Sequence, residues 1–259
     1  MKILISNDDG VYAEGIKVLY QKLGHSHEAL TIAPLEERST SGHSLSLDRP
    51  LRAKEIKKNV YGCSGFPADC ILLGLGHFCL NQLPDLVVSG INRGANLGQD
   101  LYYSGTVAAA REAAFHGYPS IAVSLVCEFN DPHDEKTMNF STAADYVNML
   151  IENGIQKIIP EKCLLNINVP DLPKKEIKGA VYATIGHRRY SEKIDQREDT
   201  RGRKYYWAAG GYLGHAKLPL TDCQATDEGH IAVTVQDLFS AYPEGFLQVK
   251  DFIDCHQSF

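Results

Sequence analysis

The sequence predicts an α/β protein of three layers, in which a mostly parallel, Rossmann-like sheet lies between helices and is followed by a β-rich C-terminal extension. In the first half, short apolar runs alternate with segments of helical period, the pattern of a parallel sheet covered by helices. In the second half the helical period is lost, and a segment rich in charge and aromatic rings takes its place. The 259 residues are enough to bury a full core.

The predicted elements follow from local patterns. Apolar runs bounded by turn residues predict strands, at residues 2–6, 29–33, 85–90, 121–125, 164–169 and 230–235. Apolar residues at helical spacing predict helices, at residues 16–23, 104–116 and 142–153. Residues 186–211 show no helical period, so we expect them to form a β-rich arm.

Composition excludes several classes of partner. The formal net charge of −6 gives no general attraction to duplex nucleic acid or anionic membranes. No apolar run approaches the roughly 18 residues of a membrane span, and we find no pattern of a secretory signal. The seven cysteines are scattered without metal or redox spacing, so we expect reduced thiols in a cytoplasmic protein.

Common nucleotide-binding and hydrolase motifs are missing. No G-x-G-x-x-G follows the first strand, and no G-x-x-x-x-G-K-[ST] occurs. Neither G-x-S-x-G nor H-E-x-x-H is present. Any chemistry must therefore come from a different set of loops.

Four polar loops that contain glycine follow predicted strands or begin a helix, at residues 7–10, 36–44, 89–98 and 103–106. Because the carboxyl ends of parallel strands share one rim, we expect these loops to converge. Asp8 and Asp9 are adjacent in the first loop, and hard divalent cations favour such oxygen ligands. For any single loop, a solvated turn remains the alternative.

Together these loops resemble the SurE family (survival protein E) of metal-dependent 5′/3′-nucleotidases over nearly the whole chain. The family's N-D-D-G opening matches residues 7–10, its Arg-Ser loop residues 38–45, its S-G-I-N segment residues 89–98 and its Y-S-G-T-V-A-A-A segment residues 103–110. Residues 186–190 and 199–207 resemble the family's arm. Cys223 and Val235-Gln236 depart from the family's usual residues, which leaves the packing of an oligomer open.

The resemblance implies a fold and a reaction. A SurE-like fold would place a nucleotidase core in residues 1–185 and an oligomerising arm in residues 186–259, giving homodimers or homotetramers. The implied enzyme is a phosphomonoesterase that hydrolyses nucleoside 5′-monophosphates, with 3′-nucleotidase and exopolyphosphatase activity as further expectations. One divalent metal ion, Mg²⁺ or Mn²⁺, would be its cofactor.

The resemblance also implies the residues of the site. The metal ligands would be Asp8, Asp9, Ser39 and Asn92, and the two aspartates would also be catalytic. The phosphate would be bound by Asn96 and by three residues at a helix N-terminus, namely Ser104, Gly105 and Thr106. Two alternatives stay open: a phosphatase that forms an aspartyl-phosphate, and a module that binds nucleotide or polyphosphate without turnover.

Overall fold

The computed structural model describes residues 1–127, 135–208 and 210–239. Within these ranges the chain forms β1 Lys2–Ser6, β2 Glu28–Pro34, β3 Ala53–Lys57, β4 Val60–Cys63, β5 Leu86–Arg93, β6 Ser120–Val126, β7 Cys163–Pro170, β8 Ala180–Tyr182, β9 Arg188–Tyr190, β10 Asp195–Glu198, β11 Lys204–Trp207, β12 Tyr212–His215 and β13 Ile231–Asp237. The helices are α1 Glu14–Gly24, α2 Pro67–Leu73, α3 Gly105–Phe115, α4 Phe140–Glu152 and α5 Asp222–Asp227. Short 3-10 helices lie at Gly98–Tyr102, Glu135–Thr137, Ile155–Lys157 and Lys174–Glu176, and a π-helical turn lies at Gly74–Phe78.

A single sheet of nine strands forms the centre of the molecule, in the order β3-β4-β2-β1-β5-β6-β7-β13-β8. In this order, the six strands from β4 through β2, β1, β5 and β6 to β7 are parallel. Strand β3 runs antiparallel to β4, and β13 runs antiparallel to β7. The chain leaves β1 towards β2 on one side and returns to β5 on the other, so β1 and β5 flank the point where the strand order reverses. Ligands of open α/β sheets bind at this point, beyond the carboxyl ends of the strands.

Helices cover both faces of the sheet. Ile3 and Ile5 of β1 face a core cluster that includes residues of α1 and α4, whereas Leu4 faces a cluster with residues of α2 and α3. This alternation follows from the two-residue period of a strand. Helix α3 is buried over nearly its whole length, from Gly105 to Ala114. The first turn of α3 is therefore held rigidly at the carboxyl edge of the sheet.

The predicted fold is confirmed, including its β-rich C-terminal part. Two small antiparallel sheets, β9 with β12 and β10 with β11, form the arm. The division into residues 1–185 and 186–259 stays a prediction, since β13 of the second segment completes the core sheet beside β7. Residues 240–259, with Cys255, lie outside the described part of the chain. Among the described residues, no helix combines the length and apolarity needed to cross a membrane.

Five strands and helices were missing from the sequence prediction, namely β3, β4, β8, α2 and α5. Strand β3 has the sequence AKEIK and is almost wholly exposed, and β4 has only four residues. Neither gives the apolar run on which the prediction of strands rests. The six predicted strands and three predicted helices are present, with ends shifted by at most a few residues.

Candidate active site

Asp8 lies directly beyond β1, at the carboxyl edge of the sheet where the strand order reverses. The residue is only 3 % exposed. Its main-chain carbonyl accepts the N–H of Arg38 at 2.7 Å, which joins the first polar loop to the loop after β2. The predicted convergence of these two loops is therefore present in the structure.

The first turn of α3 holds both oxygens of the Asp8 carboxylate. Gly105 donates its backbone N–H to Oδ2 over 3.1 Å, and Thr106 donates its hydroxyl to Oδ1. Ser104 caps the same turn by accepting the N–H of Val107 at 3.1 Å. Burial raises the pKa of Asp8 and outweighs the lowering that these hydrogen bonds cause. The N-terminus of α3 therefore orients a carboxylate that is poorly hydrated.

Asp9 is the second carboxylate of the site. Its Oδ2 accepts the backbone N–H of Arg93, in the third polar loop, at 2.9 Å. Burial, followed by the charge of Asp8, raises the pKa of Asp9 to about 8. Two neighbouring carboxylates with little water repel each other when both are ionised, and a bound cation relieves this repulsion. The pair is therefore suited to a metal ion.

Ser39 and Asn92 are each adjacent in sequence to a residue whose backbone N–H donates to one of the aspartates. Ser39 follows Arg38, whose N–H contacts Asp8, and Asn92 precedes Arg93, whose N–H contacts Asp9. Ser39 is exposed and donates its hydroxyl to Glu37 at 2.6 Å, which leaves its oxygen able to bind a cation. The Asn92 amide nitrogen donates to Gly94 at 2.8 Å, and its oxygen has no donor among the described residues.

The backbone of β5 changes its pairing with β6 just before Asn92. The register shifts between Ser89 and Asn92, as in a β-bulge. A bulge re-aims the side chains that follow it and is common beside active sites. The third polar loop therefore begins inside the strand, and not after it as the sequence suggested.

Asn96 is fixed by a buried polar network. Its backbone N–H donates to Oδ1 of Asn168 at 2.9 Å, and its carbonyl accepts from the amide groups of Asn166 and Asn168 at 2.9 and 3.1 Å. Its amide nitrogen donates to the hydroxyl of Ser124 at 2.8 Å. Because that nitrogen carries two hydrogens, one remains for a phosphate oxygen.

The three residues predicted to hold phosphate at α3 have different surroundings. Gly105 and Thr106 give their hydrogens to Asp8, while Ser104 accepts a bond and keeps its hydroxyl hydrogen for another acceptor. In this structure Gly105 and Thr106 therefore position Asp8. Their contact with phosphate stays a prediction, and Ser104 is the member of the group with a hydrogen to offer.

Asn166 and Asn168 were not among the predicted site residues. Both are at most 1 % exposed on β7, an otherwise apolar strand. Their spacing of two puts them on one face of the strand, and buried amides require partners. Two asparagines in alternation within residues 164–169 were the signal that could have revealed them.

The donors at the site suit a hard cation. Across residues 1–127, 135–208 and 210–239 no group of three His, Cys, Asp or Glu side chains is arranged to bind a metal. Among the described residues, Ser39 and Asn92 could therefore add neutral oxygens to the two aspartates. An all-oxygen set favours Mg²⁺ or Mn²⁺ over Zn²⁺.

Fold and site together define a doubly wound α/β protein with two aspartates at its topological switch point. Within this class the chain belongs to the SurE family, since the family described as "Survival protein SurE" matches residues 3–192. The match covers all four polar loops and the first part of the arm.

Relatives and a solved structure agree with this assignment. The chain is 44 % identical over 234 residues to the 5′-nucleotidase SurE of Geotalea uraniireducens, covering 90 % of this chain and 92 % of that protein. It is 41 % identical over 264 residues to the 5′-nucleotidase SurE of Thermosynechococcus vestitus, covering 98 % and 97 %. The crystal structure of the SurE protein from Aquifex aeolicus superposes with a TM-score of 0.84 at 33 % identity, covering 98 % of this chain and all of that one.

Proposed function

We propose that this protein is a metal-dependent 5′-nucleotidase that hydrolyses nucleoside 5′-monophosphates to nucleoside and phosphate. The observation that carries the proposal is the pair of carboxylates at the switch point, Asp8 buried and Asp9 partly buried, each hydrogen-bonded by a neighbouring polar loop. The relatives named 5′-nucleotidase SurE support the same reaction.

The proposed cofactor is one divalent ion, Mg²⁺ or Mn²⁺, held by Asp8, Asp9, Ser39 and Asn92. The residues fit this ion because they offer two poorly hydrated carboxylates and two neutral oxygens. When bound, such an ion polarises the phosphoryl group and lowers the pKa of a bound water. A net charge of −6 gives an anionic substrate no general attraction, so local groups such as a bound cation must hold it.

The protein's own groups divide the remaining tasks. Both oxygens of Asp8 are already hydrogen-bonded by α3, so Asp8 is suited to a fixed position. Asp9 accepts one backbone N–H, at Oδ2, and we assign to it the orientation of the attacking water and acceptance of its proton. Asn96 and Ser104 donate hydrogen bonds to the phosphate oxygens.

The test is phosphate release from 5′-AMP, 3′-AMP, p-nitrophenyl phosphate and short polyphosphate, with Mn²⁺, with Mg²⁺ and after removal of metal by EDTA. We expect release from 5′-AMP that requires a metal, and we also propose weaker 3′-nucleotidase and exopolyphosphatase activity. Metal binding without release from any of these substrates would refute the nucleotidase and favour a binding module.

We further propose that the protein assembles as a homodimer or homotetramer through the arm. Strands β10 and β11 are exposed almost throughout, and Ile194, Tyr206 and Trp207 are 62, 60 and 56 % exposed. A cluster of exposed aromatic and aliphatic side chains is typical of an interface. A cytoplasmic location is part of the same proposal, supported by the free thiols of the six described cysteines.

A further inference from the structure

The loop that carries Ser39 has little regular structure of its own. It spans residues 35–52 between β2 and β3 and contains neither helix nor strand. Among the described residues, the side chain of Ser39 contacts only Glu37 of the same loop. The position of the Ser39 oxygen relative to Asp8 therefore depends on whatever holds the loop backbone.

Between its two ends, Leu35 and Arg52, the loop is held by hydrogen bonds of three backbone N–H groups. Arg38 donates to the Asp8 carbonyl at 2.7 Å, and Gly42 donates to the Tyr103 carbonyl at 3.0 Å. Further along, the N–H of Ser46 contacts the Asp69 carboxylate at 3.0 Å. The segment from Arg38 to Gly42, with Ser39 inside it, is thus a short span whose far end must be held in place.

His43 supplies a side-chain anchor directly after that span. Its Nε2 lies 2.7 Å from Oε2 of Glu112, and its ring stacks on Phe115 with centroids 5.6 Å apart. Glu112 is 6 % exposed and lies on α3, two turns from Gly105. A carboxylate only accepts hydrogen bonds, so His43 donates from Nε2.

Helix α3 thereby contacts two parts of the metal site. Its first turn holds Asp8, and its third turn holds the loop of Ser39 through Glu112 and His43. We propose that His43 and Glu112 are positioning residues, which keep the Ser39 loop docked on α3 so that Ser39 and Asp8 can bind one cation. This inference rests on the proposed function. Outer contacts of this kind typically change metal affinity 10- to 100-fold when removed.

His116 provides a matched control. It is also on the C-terminal side of α3, and its Nε2 lies 3.1 Å from the other oxygen of Glu112. It has no contact with the Ser39 loop among the described residues. The hydrogen bond of His43 is the main cause that lowers the pKa of Glu112. Burial of Glu112 opposes it, and the bond of His116 lowers the pKa less. Removal of either histidine perturbs the same carboxylate, but only His43 links it to the loop.

The experiment compares His43→Ala, His43→Phe, His43→Gln and His116→Ala with the parent protein after metal removal. Two quantities are measured, the Mn²⁺ affinity by calorimetry and the Mn²⁺ concentration for half-maximal hydrolysis of 5′-AMP. We expect His43→Ala and His43→Phe to need about tenfold more Mn²⁺, with a smaller loss of kcat at saturating metal. His43→Gln should restore most of the affinity because its Nε2 can donate to the same oxygen, and His116→Ala should match the parent.

His43→Phe keeps a ring against Phe115 and removes only the hydrogen-bond donor, so this variant tests the inference if His43→Ala does not fold. The inference is overturned if His43→Phe needs no more Mn²⁺ than the parent. It is also overturned if His116→Ala loses as much Mn²⁺ affinity as His43→Phe. The proposed function is tested separately by the parent. If the parent binds metal and releases no phosphate, the nucleotidase proposal fails, and release that needs no metal refutes its metal dependence. A metal-dependent parent with an unchanged His43→Phe refutes only the role of His43.

Discussion

Gly105 and Asp8 are in direct contact although 97 positions separate them. The backbone N–H of Gly105 donates to Oδ2 of Asp8 over 3.1 Å. A Cβ atom added to Gly105 would lie 2.8 Å from the Asp8 Cβ and 2.9 Å from that oxygen. The lack of a side chain at position 105 therefore allows the N-terminus of α3 to come close enough to hold the carboxylate.

Gly105→Ala should move Asp8 and lower phosphate release by about tenfold or more, as expected for the loss of a contact that orients a metal ligand. Gly24→Ala is the control, because a Cβ at the end of α1 would meet no atom within 4 Å. Steady-state kinetics at several Mn²⁺ concentrations would measure the effect. Equal activity in the two variants would show that the contact between Gly105 and Asp8 is dispensable.

The stability of the metal-free protein should fall as the pH rises. Burial and the charge of Asp8 raise the pKa of Asp9 to about 8, well above its value in an unfolded chain. Between about pH 4 and pH 8 the folded state therefore binds more protons than the unfolded state, and its stability decreases through this window. Thermal melts in EDTA from pH 6 to pH 9 would measure the slope.

Mg²⁺ should reverse this loss, since metal and protons compete for the same carboxylates. We expect Mg²⁺ to raise Tm by several degrees more at pH 8.5 than at pH 6. In Asp9→Asn the fall of Tm with pH should be weaker. An increase in Tm with Mg²⁺ that is the same at both pH values would contradict the proposed electrostatics.

Asn168→Ala should remove two hydrogen bonds that hold the backbone of Asn96 in position. The Asn168 side chain both accepts from the Asn96 backbone and donates to its carbonyl, at 2.9 and 3.1 Å. We expect a KM for 5′-AMP raised several-fold with a smaller change in kcat, because Asn96 is assigned to phosphate binding. Asn153→Ala is the control, since its exposed amide contacts only Met149 among the described residues. A parent-like KM in Asn168→Ala would argue against Asn96 as a phosphate ligand.

Replacement of residues 195–207 by a Gly-Gly link should give a smaller oligomer. These residues form the exposed β10–β11 hairpin, whose first and last residues, Asp195 and Trp207, are paired across the strands. Arg188 is kept because it pairs with Asp100 at 2.6 Å and so anchors the base of the arm. Light scattering would report the mass, and an unchanged mass would refute assembly through this hairpin.

Much of the fold could be predicted from the sequence because its strands are short, apolar and fully buried. The same is true of the aspartates, since a parallel sheet requires residues 7–10 to lie at its carboxyl edge. The edge strand β3 was not predicted because its residues are almost all polar and exposed. Its place in the sheet is set by pairing with β4, which local patterns do not report.

The hydrogen-bond partners of the site residues could not be predicted from single sequence motifs. The resemblance implied that Ser104, Gly105 and Thr106 bind phosphate, which stays a prediction, but it did not reveal that Gly105 and Thr106 donate to Asp8. The amides that hold Asn96 come from β7, some 70 positions further along the chain. Contacts between distant segments depend on the packing of α3 and the sheet, which motif spacing does not encode.

The most direct test of the proposed nucleotidase is phosphate release from 5′-AMP by the parent, by Asp8→Asn and by Asp85→Asn at saturating Mn²⁺. Asp85 is an exposed aspartate at the opposite end of the sheet, where it contacts the backbone of Lys2. We predict that Asp8→Asn loses at least about 100-fold in rate, since it weakens a metal ligand, while Asp85→Asn matches the parent. Near-parent activity in Asp8→Asn would contradict the assignment of the metal site and the mechanism built on it.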